Sequence, residues 1–184
     1  MVDIQAFRGA MAKLAAAVNV ITTDGQHGRA GFTATAVCSV TDQPPMLLVC
    51  MNRSSYAHPI FTGNGVLGVN VLAADCRKES RIFADRDIPT AERFDQVAWS
   101  VLDTGAPMFD EALVNFDCRI VQTQEVGTHS VFFCSVENVR QNDDAVGLVT
   151  GGLFASWMTE SDNPAMAKFV KDYAANFGKV TGPQ

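Results

Sequence analysis

The chain has 184 residues, 47% of them hydrophobic and 18% charged, which suits one domain with a substantial core and excludes a disordered chain. A formal net charge of -6 and a pI near 4.9 argue against a nucleic-acid partner, because binding a phosphate backbone needs a basic face to displace counterions. A small anionic ligand stays open, since one local Arg with backbone donors outweighs distant surface charge.

Asp3 is placed to cap a helix over residues 6–16, where Phe7, Ala10, Met11 and Leu14 recur at three- and four-residue spacing. Residues 10–21 (AMAKLAAAVNVI) are apolar, yet Lys13 and Asn19 interrupt them, no basic leader precedes them, and no stretch reaches the length of a membrane span. A soluble, unexported, cytoplasmic protein without a membrane partner is expected. The five cysteines are an odd number with no C-x-x-C pair, and four lie in apolar or β-like runs, so free thiols are expected.

Residues 18–23 (VNVITT) turn β-branched, and Gly25 and Gly28 supply a hairpin turn. The stretch 28–55, GRAGFTATAVCSVTDQPPMLLVCMNRSS, then carries β-formers Thr33, Thr35, Cys38, Val40 and Thr41, read as one strand up to Asp42-Gln43-Pro44-Pro45. The two prolines stop pairing and turn the chain. A second apolar strand, 46–51, ends in Asn52-Arg53-Ser54-Ser55. That polar exit is either an ordinary hairpin loop or a phosphate cradle, with a guanidinium fork and single hydroxyl and amide donors.

A short helix is expected over 59–62, ending at Gly63-Asn64-Gly65, and a buried strand over 66–72. Charge density rises over 73–94, which reads as a surface helix and loop anchored by Ile82 and Phe83; Phe83 either packs on the barrel or leans on a bound ring. Trp99 and Val101 mark a short strand and Gly105-Ala106-Pro107 a turn. Residues 112–121 and 131–139 form a second hairpin interrupted at 125–129, with a far turn at Asn142-Asp143-Asp144. A last strand is expected over 147–150, and a C-terminal helix runs from Asn163-Pro164 to Gly178. Seven or so short strands with helices at the ends indicate a mainly β chain, a barrel or sandwich with peripheral helices.

Of three histidines, His129 stands out in the tight Gly127-Thr128-His129 turn, where an imidazole either meets a ligand or faces solvent. No His or Cys spacing suits a metal, and there is no G-x-S-x-G elbow, no G-x-G-x-x-G and no P-loop. A nucleotide bound here is held by a geometry other than the Rossmann one.

The order of FRGAMAKLAAAVNVITT, GRAGFTATAVCSVTDQPPMLLVCMNRSS, VNVL, RFD before Trp99, GAPMFDEALVNFDCRI and VGTHSVFFCSVENV resembles the flavin reductase family of two-component monooxygenases over about residues 5–150. It is most similar to NADH-dependent FMN reductases of pyrimidine degradation and to reductase components of 4-hydroxyphenylacetate 3-monooxygenases. The resemblance implies an FMN-binding split β-barrel with Greek-key connections and peripheral helices, over residues 1–158, followed by a helical extension over 159–184, and it implies a homodimer. It places Thr33, Ala34, Thr35 and Ala36 beside the isoalloxazine ring, with Ser39, Val40 and Thr41 toward its pyrimidine edge. Cys50, Met51, Asn52, Ser54 and Ser55 follow the ribityl chain and phosphate, Phe83 covers part of the flavin, and His129 lies near the nicotinamide as the catalytic residue.

The implied reaction is hydride transfer from NADH to FMN, with FAD as the other flavin, and delivery of reduced flavin to a partner monooxygenase. Two departures stand out. Thr128 occupies the position before His129 where the family commonly has Asp, and residues 147–157 (GLVTGGLFASW) replace the aromatic and basic closing strand of many relatives. Two alternatives therefore stay open: a non-catalytic FMN carrier, and a split-barrel flavin oxidase acting on its own substrate.

Overall fold

A computed structural model describes residues 2–142, 147 and 149–151. The expected C-terminal helix and the residues after Asn142 in the far turn lie outside the described residues. The elements are α1 (Ile4–Met11), β1 (Ala15–Ala17), β2 (Asn19–Thr23), β3 (Ala30–Ala34), β4 (Val37–Asp42), β5 (Pro45–Asn52), α2 (His58–Asn64), β6 (Val66–Val71), α3 (Arg77–Ala84), α4 (Thr90–Phe94), β7 (Trp99–Val101), β8 (Pro107–Phe109), β9 (Val114–Val126), β10 (His129–Gln141) and β11 (Val149–Gly151).

The chain divides into a small unit, residues 1–16 with 149–184, and a large one, residues 17–148. In the small unit Asp3 caps α1 as expected, its carboxylate accepting from Ala6 N at 2.9 Å, but the helix stops at Met11, short of the expected residue 16. Strand formation at Ala15–Ala17, paired with β11, takes the backbone that the helical spacing had claimed.

The large unit holds a seven-stranded sheet in the order β3-β2-β6-β9-β10-β5-β4. Its edge strands β3 and β4 are consecutive in the chain, joined only by Thr35 and Ala36. In a flat sheet the two edges stand about 29 Å apart at ~4.8 Å per strand. Three Cα steps, from Ala34 to Val37, reach at most about 11 Å. The sheet must therefore roll until its edges meet, and a chain link rather than a ladder closes the seam. This is the expected split barrel. It also corrects the reading of 33–41 as one strand, because the run breaks at Thr35 and its two halves belong to opposite edges.

Strands β2 and β6 are buried along nearly their whole length because they face two cores. Ile21 and Val69 point into the barrel with Val49, Met51, Phe61, Leu67 and Phe132. Val20 points the other way, joining Leu72, Ile82, Phe83, Phe94 and Phe109 beneath α3 and α4. The expected helix over 59–62 is α2, closed by Gly65 at φ 67. The β9–β10 ladder runs further than the sequence indicated, to the pair Val126↔His129, because Gly127 at φ 56 permits a two-residue turn. No helix among the described residues is long and apolar enough to cross a membrane.

One buried polar network ties β8 to the sheet. Asn70, fully buried, donates to Val20 O at 2.9 Å and to Thr22 Oγ1 at 3.1 Å, and accepts from Phe109 N at 2.7 Å and Asn115 Nδ2 at 2.8 Å. Asn115 Oδ1 accepts from Arg140 Nε at 2.8 Å, and Arg140 also donates to Ser100 Oγ at 2.8 Å and Phe109 O at 3.1 Å. Asn70→Ala strands several buried groups, so urea unfolding should show a loss on the order of 3 kcal/mol. Val139→Ala, at a 42%-exposed position, should change stability by less than about 0.5 kcal/mol. Equal effects would contradict the network's role.

The cysteines are free, as expected. Burial pushes the Cys134 thiol up to about 12, and Cys118 upward too, first by burial and then by its neighbour Cys134. Both stay protonated in the folded state, so their contribution to stability is complete below the ordinary thiol range and is lost as pH rises through the raised values. A thiol reagent at pH 8 should label exposed Cys38 in the folded protein and Cys118 and Cys134 only after unfolding.

Candidate functional site

The β4–β5 ladder, extended one step past its Val37↔Val49 pair, puts the β3–β4 link beside the exit of β5. Cys50 N donates to Ala36 O at 3.0 Å, and Val37 N donates to Thr35 O at 3.0 Å. Along β5 burial alternates, so Met51 sits in the core while Cys50 is half-buried and Asn52 exposed. The chain then turns on Asn52: its Oδ1 accepts from Ser54 N and from Ser54 Oγ, both at 2.9 Å, and Ser55 N donates to Asn52 O at 3.1 Å. His58 N donates to Ser55 O at 3.0 Å and starts α2.

The register of β10 against β5 pairs His129 with Asn52, so the turn histidine and the polar exit, far apart in sequence, become neighbours. Arg53 fastens them. Its N–H donates to Thr128 O at 3.0 Å, Nη1 to Glu125 Oε2 at 2.5 Å and Nη2 to Gly127 O at 2.6 Å. The guanidinium that the sequence offered as a phosphate fork thus holds the β9–β10 turn. At the position where the resemblance leads to Asp, the Thr128 hydroxyl engages His129 Nδ1 at 2.9 Å, and Nε2 makes no hydrogen bond among the described residues.

The predicted positions separate into three groups. Ala36, Ser39, Val40, Asn52, Ser54 and His129 are exposed, and Thr35, Thr41, Cys50 and Ser55 are half-buried; these lie along the link, β4 and the β5 exit. Thr33 and Met51 turn their side chains inward: Thr33 Oγ1 donates to Ser80 O at 2.7 Å, and Met51 is 1% exposed; Ala34 is buried too. Phe83 is not brought to this edge. It is 2% exposed, its ring centroid 5.0 Å from Phe94 and 5.2 Å from Phe109, so packing describes it and a ring leaning on a ligand does not. Gly31 makes room for it, since a Cβ there would stand 2.7 Å from Phe83 Cε1.

Three side chains escaped the sequence reading. His58 lies over the Phe132 ring at 5.8 Å, its Nε2 2.9 Å from the hydroxyl of buried Ser130, next to His129. Arg93 is 3% exposed; its Nε donates to Ile88 O at 2.8 Å and its Nη1 to Gly31 O at 3.4 Å. Its guanidinium lies 6.0 Å from the ring centroid of Tyr56, whose hydroxyl is 2.7 Å from Thr90 Oγ1. The signal for Arg93 was its place beside the apolar Phe94 in a motif otherwise dense with surface charge. Among the described residues no three His, Cys, Asp or Glu side chains gather to hold a metal ion.

Arg53→Ala should cost less than about 1 kcal/mol in global stability, because the Glu125 pair is exposed, yet it should speed amide exchange across 126–129. A large stability loss without local exchange would contradict the fastening role.

Comparisons with known proteins agree with this architecture. Residues 11–157 match the flavin reductase like domain. A protein of Stutzerimonas stutzeri (strain A1501) named FMN reductase (NADH) RutF is 57% identical over 146 residues, 79% of this chain and 83% of that protein. The crystal structure of a putative flavin reductase from Haemophilus somnus 129pt superposes with a TM-score of 0.79 at 46% identity, covering 81% of this chain and 95% of that one. BorF, the flavin reductase component of a bacterial two-component tryptophan halogenase, superposes with a TM-score of 0.75 at 31% identity, covering 82% and 96%. Matched along most of its length and folded as the same split barrel, the chain belongs to the flavin reductase like domain family.

Proposed function

We propose that this chain is an NADH-dependent FMN reductase that supplies reduced flavin to a partner monooxygenase, acting in the cytoplasm as a homodimer. The carrying observation is the Asn52↔His129 register, which sets an open imidazole beside a turn rich in hydrogen-bonding side chains. The donor chemistry fits FMN. The Thr35 and Ser39 hydroxyls and the Asn52 amide nitrogen make no hydrogen bond among the described residues, and the small Ala36 side chain leaves a flat ring room to approach. The name of the Stutzerimonas relative supports FMN and NADH as the reactants, and BorF supports delivery to a second enzyme.

FMN, when bound, supplies the hydride acceptor. The protein's part is positioning: residues 35–41 line the ring, Asn52, Ser54 and Ser55 hold the ribityl side, and His129 steers the nicotinamide. Fixing two reactants at contact distance removes a barrier contribution of about 7 to 11 kcal/mol in favourable cases, without any protein nucleophile. The Thr128 hydroxyl on Nδ1 orients the imidazole at the position where the resemblance leads to Asp, which weighs against the carrier reading.

NADH consumption, followed by absorbance with and without FMN, tests the proposal. Oxidation that requires FMN and turns over many equivalents is the expected result; FMN binding without NADH oxidation would overturn it. His129→Ala should raise the KM for NADH about tenfold, equivalent to ~1.4 kcal/mol, and leave the FMN Kd within about twofold. Equal losses would make His129 structural.

A further inference from the structure

The strand end that carries His129 is held by little packing. Strand β9 beside it is exposed from Val121 to Val126, and His129 is exposed too, so burial does not fix where the first residues of β10 stand. Side chains from the stretch after β5 take over that task. Arg53 holds the turn before the histidine, through Thr128 O and Gly127 O. His58 holds the residue after it: its Nε2 lies 2.9 Å from Ser130 Oγ, and its ring stacks on Phe132 at 5.8 Å with an interplanar angle of 27°. His129 is thereby bracketed on both sides by the chain that leaves the Asn52 turn.

Strand alternation explains why His58 reaches Ser130 rather than His129. Ser130 and Phe132 are buried on one face of β10, and His129 is exposed on the other. The Ser130 hydroxyl, in a residue 1% exposed, has His58 as its only hydrogen-bond partner among the described residues. Loss of the imidazole would leave that hydroxyl buried and unpaired, and the strand end would shift or fray to satisfy it. His58 is fixed in turn by the stretch it belongs to, because it opens α2 and its backbone N donates to Ser55 O at 3.0 Å. We infer that His58 is a positioning residue for His129: by pinning Ser130 it sets the strand end from which the His129 imidazole projects, and so ties nicotinamide binding to the Asn52–Ser55 turn on the flavin side. This rests on the flavin reading above. The action passes through the backbone of β10, and a small displacement of a group that steers a reactant costs affinity.

The test is steady-state NADH oxidation at saturating FMN by the full-length protein, in the unaltered chain, His58→Phe, His58→Gln, His129→Ala and the double variant His58→Phe with His129→Ala. His58→Phe keeps a ring over Phe132 and deletes the bond to Ser130. It should raise the KM for NADH about 3- to 10-fold, with kcat and the FMN Kd held within about twofold. His58→Gln, whose amide offers a polar group to Ser130, should return the KM to within about twofold of the unaltered value and guards against a packing defect. Because His58 acts through His129, the double variant should show the KM of His129→Ala alone. A further rise in the double variant would make the two residues independent and overturn the inference. So would an unmoved KM in His58→Phe, an equal loss of FMN affinity, or a His58→Gln variant as impaired as His58→Phe. Failure of His129→Ala to raise the KM, or no NADH oxidation by the unaltered protein, would instead overturn the flavin reading and the inference with it.

Discussion

Everything in the large unit depends on the shortness of the connection between β3 and β4. Two residues cannot span a seven-stranded sheet, so the sheet rolls, and rolling makes an inside for Ile21, Val49, Leu67, Val69 and Phe132. The same link becomes the wall beside the β5 exit, because Cys50 N donates to Ala36 O one step beyond the Val37↔Val49 pair of the β4–β5 ladder.

The site is then assembled by register and by hydrogen bonds rather than by a sequence motif. Asn52 turns the chain, His129 pairs opposite it, and Arg53 fixes the hairpin that carries the histidine. The two arginines show how burial decides use. Arg53 is exposed and spends its donors on the Glu125 carboxylate and the Gly127 carbonyl, where solvent screens its charge. Arg93 is buried, and it ties α4 to the carbonyls of Ile88 and Gly31.

Much of the barrel was legible from periodicity and turn chemistry: the first hairpin, the Gly65 stop of α2, the buried β6, and the second hairpin. What escaped was non-local. Thr33 to Thr41 reads as one strand because β-propensity says nothing about which edge a strand joins. The strand expected over 112–121 continues to Val126, and polar, solvent-facing residues such as Gln122 and Gln124 mask that part of the ladder. Phe83 was ambiguous since its burial depends on Gly31, Phe94 and Phe109, none of them near it in sequence except Phe94. Residue chemistry alone reached a barrel with a polar exit and a turn histidine; the family resemblance supplied the flavin.

Amide hydrogen exchange with and without FMN tests the central claim most directly, namely that the pairing of β4 and β10 with β5 brings the β3–β4 link, the β5 exit and the start of β10 into one flavin-binding edge. The account predicts that FMN slows exchange at residues 35–36, 52–56 and 128–130 together. Protection confined to another face, or at one of these segments without the others, would contradict it.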